Sequence, residues 1–308
     1  MNIRSKFCIG ISKPLDILNK NIRKLIYYSL EKNIFVHTSI TYPINFVFIK
    51  FLLKKKVRHK INFICKILGD DFKNFNKTVK LTLSKFSIKK IYILQLVNLP
   101  IKNSQKRDIS SVDFDEFNKI LISIDNLKKN NLIDKVYLQI FSNDELEFCS
   151  KISNYFDGFA FYSNLKEVHL KREVHEFIKN KDIPCLVLSI FGNPKTFINS
   201  NKNLHLDSYI FSQSYFSKNT IAVGRTLKYS RVHDIYNVEN KKNDKKLIFR
   251  PKYIQTTETQ DTAQNFYKKY EVTTNLYIFI FILKCIGKKI LSQKIWFFLK
   301  KLTKHNEN

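Results

Sequence analysis

Residues 35–42 read FVHTSITY, a short apolar and β-branched run that closes on polar residues and a tyrosine. Similar runs recur along the first 240 residues, and a longer charged stretch with helical spacing follows each of them. This alternation is typical of repeated βα units. It predicts eight strands: Phe7–Ile11, Ile34–Ser39, Asn62–Ile67, Ile91–Val97, Lys135–Phe141, Gly158–Tyr162, Pro184–Ile190 and Thr220–Gly224.

The predicted strands are continuously apolar rather than alternating, as in parallel strands that are buried on both faces. Eight parallel strands with crossover helices close most naturally into a TIM (β/α)8 barrel. A doubly wound open sheet is the main alternative, but the six glycines form neither a GxGxxG turn nor a P-loop. The sequence therefore predicts an α/β TIM barrel, whose functional site lies at the carboxyl ends of the strands.

The chain changes in character after residue 240. Residues 239–247 read ENKKNDKKL, a polar run typical of a linker or surface loop, and residues 275–304 are aromatic, aliphatic and lysine-rich. The longest uncharged run in this part of the chain, Val272–Leu283, has 12 residues, whereas a membrane-spanning helix needs ~20. We predict a barrel over residues 1–240 and a linker with a basic amphipathic helical region over 241–308. That helix can lie on an anionic membrane surface, or pack on the barrel or on a partner subunit.

The net charge of +28 would ordinarily suggest phosphate, nucleic acid or an anionic membrane as a partner. However, Lys, Asn, Ile and Phe are frequent throughout the chain, as an A+T-rich coding sequence would produce without any selected partner. No helix-turn-helix, zinc finger or aromatic RNA-binding motif is recognisable. We therefore predict no nucleic-acid partner.

Cysteine and histidine spacing argues against a metal site. The five cysteines are odd in number and widely spaced, which indicates neither a disulfide framework nor a zinc site. His169 and His175 are six residues apart in KEVHLKREVHE, which predicts a solvated helix face rather than a pair of metal ligands. Without a signal-peptide-like apolar segment, these features favour a cytoplasmic protein, either free or peripheral to the inner face of the membrane.

Polar side chains stand where the second and third predicted strands end. His37 closes the second strand, Tyr42 lies in the loop after it, and Lys66 ends the third. A nearby ammonium favours the phenolate and lowers the pKa of a tyrosine from ~10 toward neutrality. A tyrosine tuned in this way is a usable general acid at a carbonyl oxygen.

Six segments, in order, resemble the aldo-keto reductases: FVHTSITY, INFICK, KIYILQLVN, KVYLQIFSNDELEF, IPCLVLSIFGNP and NTIAVGRTLKYSRVHDI. The resemblance covers nearly all of residues 5–240 and implies a TIM barrel that transfers hydride from NADPH to an aldehyde or ketone. In that family a Tyr is the acid, a Lys lowers its pKa, an Asp orients the Lys and a His positions the substrate oxygen.

The implied catalytic residues are partly altered in this chain. Tyr42 and Lys66 stand at the family's Tyr and Lys positions, but His37 stands at the Asp position. Val97 stands at the His position, or Asn98 if the register slips by one. A neutral His37 can accept a hydrogen bond but supplies no negative charge, so some tuning of the tyrosine pKa should be lost. Asn98 can donate a hydrogen bond to a carbonyl, whereas Val97 cannot.

The resemblance also implies a cofactor site, with NADP favoured and NAD left open. The implied cofactor contacts are Gln139, Ser189, Gly224, Arg225, Thr226 and Arg231. Gln139 replaces a serine that holds the nicotinamide amide, unless the register shifts to Ser142 and Asn143. Gly224, Arg225 and Thr226 would hold a phosphate, and Arg231 or Lys228 would meet the extra phosphate of NADP.

Two functional hypotheses follow for the barrel. The first is an NAD(P)H-dependent oxidoreductase that reduces the carbonyl of a small aldehyde, ketone or sugar-like substrate. The second is a catalytically inactive barrel that binds a nucleotide or a protein partner, which the altered Asp and His positions favour. Peripheral membrane contact through residues 275–304 is a further expectation for either.

Overall fold

The chain folds into a closed barrel of eight parallel strands in the order β1-β2-β3-β4-β5-β6-β8-β9. The computed structural model describes residues 5–11, 20–39, 60–102, 107–192, 204–225, 228–240 and 250–254. The barrel strands are β1 (Phe7–Gly10), β2 (Phe35–Ser39), β3 (Phe63–Ile67), β4 (Ile91–Leu96), β5 (Ile133–Gln139), β6 (Gly158–Tyr162), β8 (Cys185–Leu188) and β9 (Thr220–Gly224). The predicted TIM barrel is confirmed, and so are all eight predicted strands.

Two short strands escaped the sequence prediction. Strands β7 (Glu167–Val168) and β10 (Lys252–Tyr253) form a separate parallel pair, in which Lys252 lies opposite Glu167. Two residues are too few to show a hydrophobic period, so the pattern of the sequence could not indicate them. Through this pair, a piece of the chain beyond residue 240 is hydrogen-bonded to the loop after β6. The predicted division of the chain at residue 240 stays a prediction.

Helices lie along the outside of the barrel. They are α1 (Lys20–Glu31), α2 (Phe72–Phe86), α3 (Phe114–Lys129), α4 (Leu146–Ile152), α5 (Arg172–Asn180), α6 (Leu204–Tyr215) and α7 (Tyr229–Asn240). The Asp71 side chain accepts a hydrogen bond from the Lys73 N–H and so caps α2, and Asp113 caps α3 through the Glu116 N–H. None of the helices in these ranges is long and apolar enough to cross a membrane.

The apolar core has two parts. The larger part lies between strands and helices and includes Phe63, Phe75 and Phe117. The smaller part fills the inside of the barrel with Cys8, Phe35, Ile64, Ile93, Tyr137, Ala160, Leu186, Leu188 and Val223. Side chains two residues apart on a strand share a face. The inner face of β2, β3, β4 and β5 therefore continues, toward their carboxyl ends, with His37, Lys66, Gln95 and Gln139.

His175 on α5 fastens the β10 segment to the barrel. Its ring Nε2 donates to the Tyr215 carbonyl oxygen at 3.0 Å, so Nδ1 accepts from the Tyr253 hydroxyl at 2.7 Å. The ring also stacks on Tyr215, with centroids 4.7 Å apart and planes 10° apart. The prediction of a solvated helix face is wrong for His175, which is buried because rings from α6 and β10 cover it. The predicted amphipathic helix at 275–304 lies outside the described residues.

Candidate active site

A chain of buried polar side chains crosses the barrel near the carboxyl ends of β2, β4 and β5. His37 Nε2 lies 2.7 Å from Gln95 Oε1, and Gln95 Nε2 donates to Gln139 Oε1 at 2.9 Å. An amide oxygen can only accept, so the proton of the neutral His37 ring sits on Nε2. Nδ1 is then the ring atom that accepts hydrogen bonds.

Lys66 lies on β3, between β2 and β4, two of the strands that carry these hydrogen-bonded side chains. It is paired with Ser39 on β2 and with Gln95 on β4, and only 8% of its surface is exposed. Its ammonium stands 5.9 Å from the centroid of the Tyr162 ring. Burial, with the charge of Lys66 as the second cause, lowers the pKa of His37 to about 3, against a smaller opposing effect of the Gln95 hydrogen bond. His37 is therefore neutral at physiological pH and does not repel the ammonium.

The low pKa of His37 gives the protein a specific dependence of stability on pH. Between pH 6.5 and about 3 the unfolded chain binds a proton at this residue and the folded chain does not, so stability falls as the pH falls. From pH 7.5 to pH 5 we expect His37 to account for a loss of about 2 kcal/mol in the free energy of unfolding. Urea unfolding at both pH values, in the wild type and in His37→Gln, measures this difference.

The buried His175 and the partly buried His205 provide an internal control for that experiment. Burial also lowers the pKa of His175 and of His205, but both residues are the same in the two proteins, so their contributions cancel. An equal loss of stability between pH 7.5 and pH 5 in the wild type and in His37→Gln would contradict the low pKa. It would show that His37 is protonated in the folded state at pH 5.

The end of β4 places Val97 and Asn98 in different surroundings. Val97 packs with Phe141 and Leu68 in a small apolar cluster. The Asn98 side-chain oxygen accepts from the Gly69 N–H at 2.7 Å, and its buried Nδ2 has no hydrogen-bond partner among the described residues. The side chain of β4 that reaches His37 is Gln95, which sequence reasoning missed. A polar residue inside the apolar run IYILQLV was the available signal.

A buried ion pair supports the carboxyl end of β5, and sequence reasoning missed it as well. Arg107 Nη1 donates to the Gln139 main-chain oxygen at 3.0 Å and lies 3.3 Å from Asp144 Oδ2. The guanidinium carbon is 5.1 Å from the centroid of the Phe141 ring and 4.9 Å from that of Phe148. Burial raises the pKa of Asp144 more than Arg107 and the Phe141 N–H lower it. The only indication of this ion pair in the sequence was an arginine in a chain whose basic residues are mostly lysine.

Both predicted registers of the amide-binding pair lie at this end of β5. Gln139 is the last residue of the strand, and its buried Nε2 has no partner in the part of the chain that the structure describes. Ser142 and Asn143 lie in the turn between β5 and α4. The Asn143 Oδ1 is also buried without a described partner. A buried donor, Gln139 Nε2, and a buried acceptor, Asn143 Oδ1, are thus four residues apart in the sequence.

The ends of β8 and β9 carry the remaining predicted cofactor residues. Ser189 follows β8, is exposed, and has a left-handed backbone with φ of 57°. Arg225 follows β9 and Arg231 lies in the first turn of α7, both partly exposed. Tyr42 and Thr226 lie outside the described residues. The structure therefore brings His37, Lys66 and Gln139 around one barrel mouth, with Arg225 after the end of β9 and Arg231 in the first turn of α7.

Gly224 has a packing role that the sequence did not show. A Cβ at this position would overlap the rings of Phe191 and Phe7. We expect Gly224→Ala to lower the free energy of unfolding by about 1–3 kcal/mol, because buried rings would have to shift. Gly10→Ala is the matched control, since its Cβ would meet the nearest atom, Val223 Cγ1, at 3.4 Å. Thermal or urea unfolding measures both, and equal stability of the two variants would contradict this packing role.

Metal chemistry finds no support in the geometry of the described ranges. Within them, no group of three or more His, Cys, Asp or Glu side chains is arranged to hold a metal ion. Cys8, Cys65, Cys149 and Cys185 are free and buried, and burial raises the pKa of each thiol. These four side chains are therefore protonated and act as small apolar groups in the core.

Comparison with known proteins shows the fold. No protein-family model and no curated protein sequence matches the chain. An aldo-keto reductase crystallised with NADPH is 13% identical with a TM-score of 0.54, covering 79% of this chain and 80% of its own. An aldo-keto reductase of the silkworm Bombyx mori is 12% identical with a TM-score of 0.53, at 79% and 80% coverage. Aldose reductase from Giardia lamblia is 9% identical with a TM-score of 0.55, at 79% and 90% coverage.

Proposed function

We propose that this chain, which has the fold of the aldo-keto reductases, is an NAD(P)H-dependent oxidoreductase. It would reduce the carbonyl group of a small aldehyde, ketone or sugar-like substrate. The observation that carries the proposal is Lys66, a largely buried ammonium at the carboxyl end of β3 beside the neutral His37. The carboxyl ends of the strands are where TIM-barrel active sites lie, and a buried ammonium there can change the acidity of a neighbouring group.

Tyr42 is the proposed acid. It follows Ser39, the last residue of β2, by three positions, and Ser39 is paired with Lys66. Three residues of extended chain span at most ~11 Å, and this short separation from Ser39 is the reason for proposing Tyr42 as the partner of Lys66. The ammonium lowers the pKa of the phenol, and Tyr42 gives its hydroxyl proton to the substrate oxygen. A bound nicotinamide cofactor would supply the hydride.

His37 and Gln95 have supporting roles in this proposal. His37 offers Nδ1 as a neutral acceptor near Lys66, where the resemblance implies a carboxylate. Gln95 fixes the ring by accepting from Nε2. Because His37 carries no negative charge, it can orient the ammonium but does not stabilise it as a carboxylate would, so part of the tuning of the Tyr42 pKa is lost.

Unpaired polar groups at the end of β5 fit a nicotinamide amide. Gln139 Nε2 is a buried donor and Asn143 Oδ1 a buried acceptor, and neither has a partner among the residues described above. A carboxamide carries one acceptor and one donor, so it complements both. Arg225 and Arg231 supply guanidinium groups that suit phosphates, and the position of Arg231 in the first turn of α7 adds the helix N-terminus. Ser189 is exposed at the end of the neighbouring β8.

Cofactor titration tests this site. We expect NADPH fluorescence to change saturably when the full chain is added, and to do so at ~0.15 M salt as well as at low salt. NADH, titrated in parallel, decides between the two nucleotides. Arg225→Met should weaken NADPH binding about tenfold or more, while Arg172→Met, which removes an exposed arginine from α5, should not. Binding that vanishes at ~0.15 M salt, or that weakens equally in both variants, would indicate nonspecific attraction to a chain of charge +28.

A second candidate function is a barrel that binds a nucleotide or protein partner without catalysis. The observation that favours it is Val97, an apolar side chain packed against Phe141 where the resemblance implies a histidine. The two candidates differ in one outcome. A non-catalytic barrel would bind NADPH and leave it unoxidised with every aldehyde offered, whereas the reductase would oxidise it and would lose this activity in Tyr42→Phe.

A further inference from the structure

We propose that the amino-terminal end of the barrel holds a second binding site, for a small anion with a flat aromatic body. A cavity of about 470 Å³ opens there, among residues of β2, β4, β5 and β9 and the two residues just before β1. This volume lies within the range of small-molecule sites, about 300–1,000 Å³. The inside of a TIM barrel is filled by packed layers of side chains, and the cavity lies beyond the last of these layers, which contains Phe35, Ile93 and Tyr137.

The cavity is separate from the proposed reductase site. Its inner wall is formed by Phe35, Ile93 and Tyr137, which stand two residues before His37, Gln95 and Gln139 on the same strands. Residues two apart on a strand share a face and are about 6.6 Å apart along it. One layer of apolar side chains therefore lies between the cavity and the polar chain at the barrel mouth.

The walls suit a flat apolar molecule. The rings of Phe35 and Tyr92 meet edge to face, with centroids 6.2 Å apart and planes 70° apart. Ile93, Ile221 and the ring of Tyr137 complete the apolar lining. Aromatic rings in such an arrangement offer both a face and an edge to a planar ligand.

The charges at the cavity are positive and come from opposite sides. Lys135 on β5 and Lys6 just before β1 both line it, and β1 and β5 are four strands apart in either direction around the barrel. Lys135 has no ion-pair partner in the described ranges. The Lys6 ammonium donates to the Lys218 main-chain oxygen at 2.8 Å, and its charge is among the smaller causes that lower the pKa of Asp182, which does not line the cavity. Asp134, the acidic residue of the lining, is already paired with Lys90.

A hydrogen-bonding group accompanies the two ammonium groups. The Tyr137 hydroxyl has no hydrogen-bond partner among the residues that the structure describes, and burial raises its pKa, so it stays protonated as a donor. Two ammonium groups and one neutral hydroxyl on an aromatic cavity favour a carboxylate, sulfonate or phosphate on a flat ring system.

Calorimetric titration of the full chain with 2-naphthoate at ~0.15 M salt tests the site. We expect saturable binding at one site, about tenfold tighter than that of the neutral 2-naphthamide. Lys135→Gln and Lys6→Gln should each weaken 2-naphthoate binding at least about fivefold, and Tyr137→Phe should weaken it less. Lys129→Gln is the matched control, because it removes an exposed charge from the last turn of α3 and should leave the affinity unchanged.

Three results with the ligands and lysine variants above would overturn the proposal, and a fourth comes from a variant at the other end of the barrel. The first is the absence of saturable binding, and the second is equal affinity for 2-naphthoate and 2-naphthamide. The third is equal weakening in Lys135→Gln and Lys129→Gln, which would show attraction to the overall charge. Lys66→Met separates the two ends of the barrel: retained naphthoate binding supports the second site, and its loss would place the naphthoate in the reductase site instead.

Discussion

Lys66→Met is expected to lower kcat for carbonyl reduction by about 10²–10⁴-fold, the usual contribution of a positioned acid. Methionine keeps the length of the side chain and removes its charge. In the proposed mechanism, loss of the ammonium would return the pKa of Tyr42 toward ~10 and make the phenol a poorer proton donor to the substrate oxygen. Steady-state oxidation of NADPH at a saturating aldehyde concentration measures the effect.

Two comparisons make the Lys66 result specific. Lys66→Arg keeps a positive charge and should retain more activity than Lys66→Met. Lys151→Met removes a lysine that pairs with Glu147 on the surface of α4, and should leave kcat unchanged. The methionine variant should fold, because replacing a buried charge with an apolar group of similar size removes a desolvation cost. Activity of Lys66→Met within about threefold of the wild type would exclude Lys66 from the chemistry.

Arg107→Met is expected to lower the free energy of unfolding by about 3–5 kcal/mol, the usual cost of breaking a buried ion pair on one side. Both partners are almost fully buried, with 4% of the Arg107 side chain and 1% of the Asp144 side chain exposed. The substitution leaves the Asp144 carboxylate without its cation and the Gln139 carbonyl without its donor. Urea unfolding at pH 7.5 measures the loss.

The dependence on pH identifies the cause of that loss. Burial already raises the pKa of Asp144 in the wild type, and removing Arg107 raises it further. Between the pKa of Asp144 in the unfolded chain and its higher pKa in the folded chain, the folded state binds a proton at Asp144 that the unfolded state does not. The stability contributed by Asp144 therefore increases as the pH falls through that window. The free energy of unfolding that Arg107→Met has lost relative to the wild type should thus be smaller at pH 5 than at pH 7.5.

A double variant and a surface control complete the Arg107 experiment. Arg107→Met with Asp144→Asn should regain most of the lost stability and lack the additional recovery at low pH, because no buried carboxylate remains. Arg172→Met breaks an exposed i,i+4 pair with Glu176 and should cost less than about 1 kcal/mol. Equal costs for Arg107→Met and Arg172→Met would show that the buried pair has no special role.

The barrel could be predicted from the sequence because its signals are local. Each strand is buried on both faces, so it reads as a continuous apolar run, and the helices between the strands keep their own period. His37 and Lys66 were found because each is a polar residue within such a run: His37 is the third residue of β2, and Lys66 is the penultimate residue of β3. Their place in the fold follows directly from the strand order.

The partners of these residues depend on contacts between distant parts of the chain. His37 meets Gln95, 58 residues further on, only because β2 and β4 both flank β3. Arg107 reaches Gln139 through the path of the chain before α3, which no period indicates. The burial of His175 likewise depends on Tyr215 and Tyr253. The local sequence KEVHLKREVHE carries no trace of those rings.

Aldehyde-dependent oxidation of NADPH by the full chain, compared with Tyr42→Phe, is the most direct test of the proposed reductase. We expect the wild type to oxidise NADPH only when a small aldehyde or ketone is present. Tyr42→Phe, which removes the proposed acid and keeps the ring, should lower kcat by about 10²-fold or more. If no carbonyl compound supports oxidation, or if Tyr42→Phe is as active as the wild type, the proposed function is wrong.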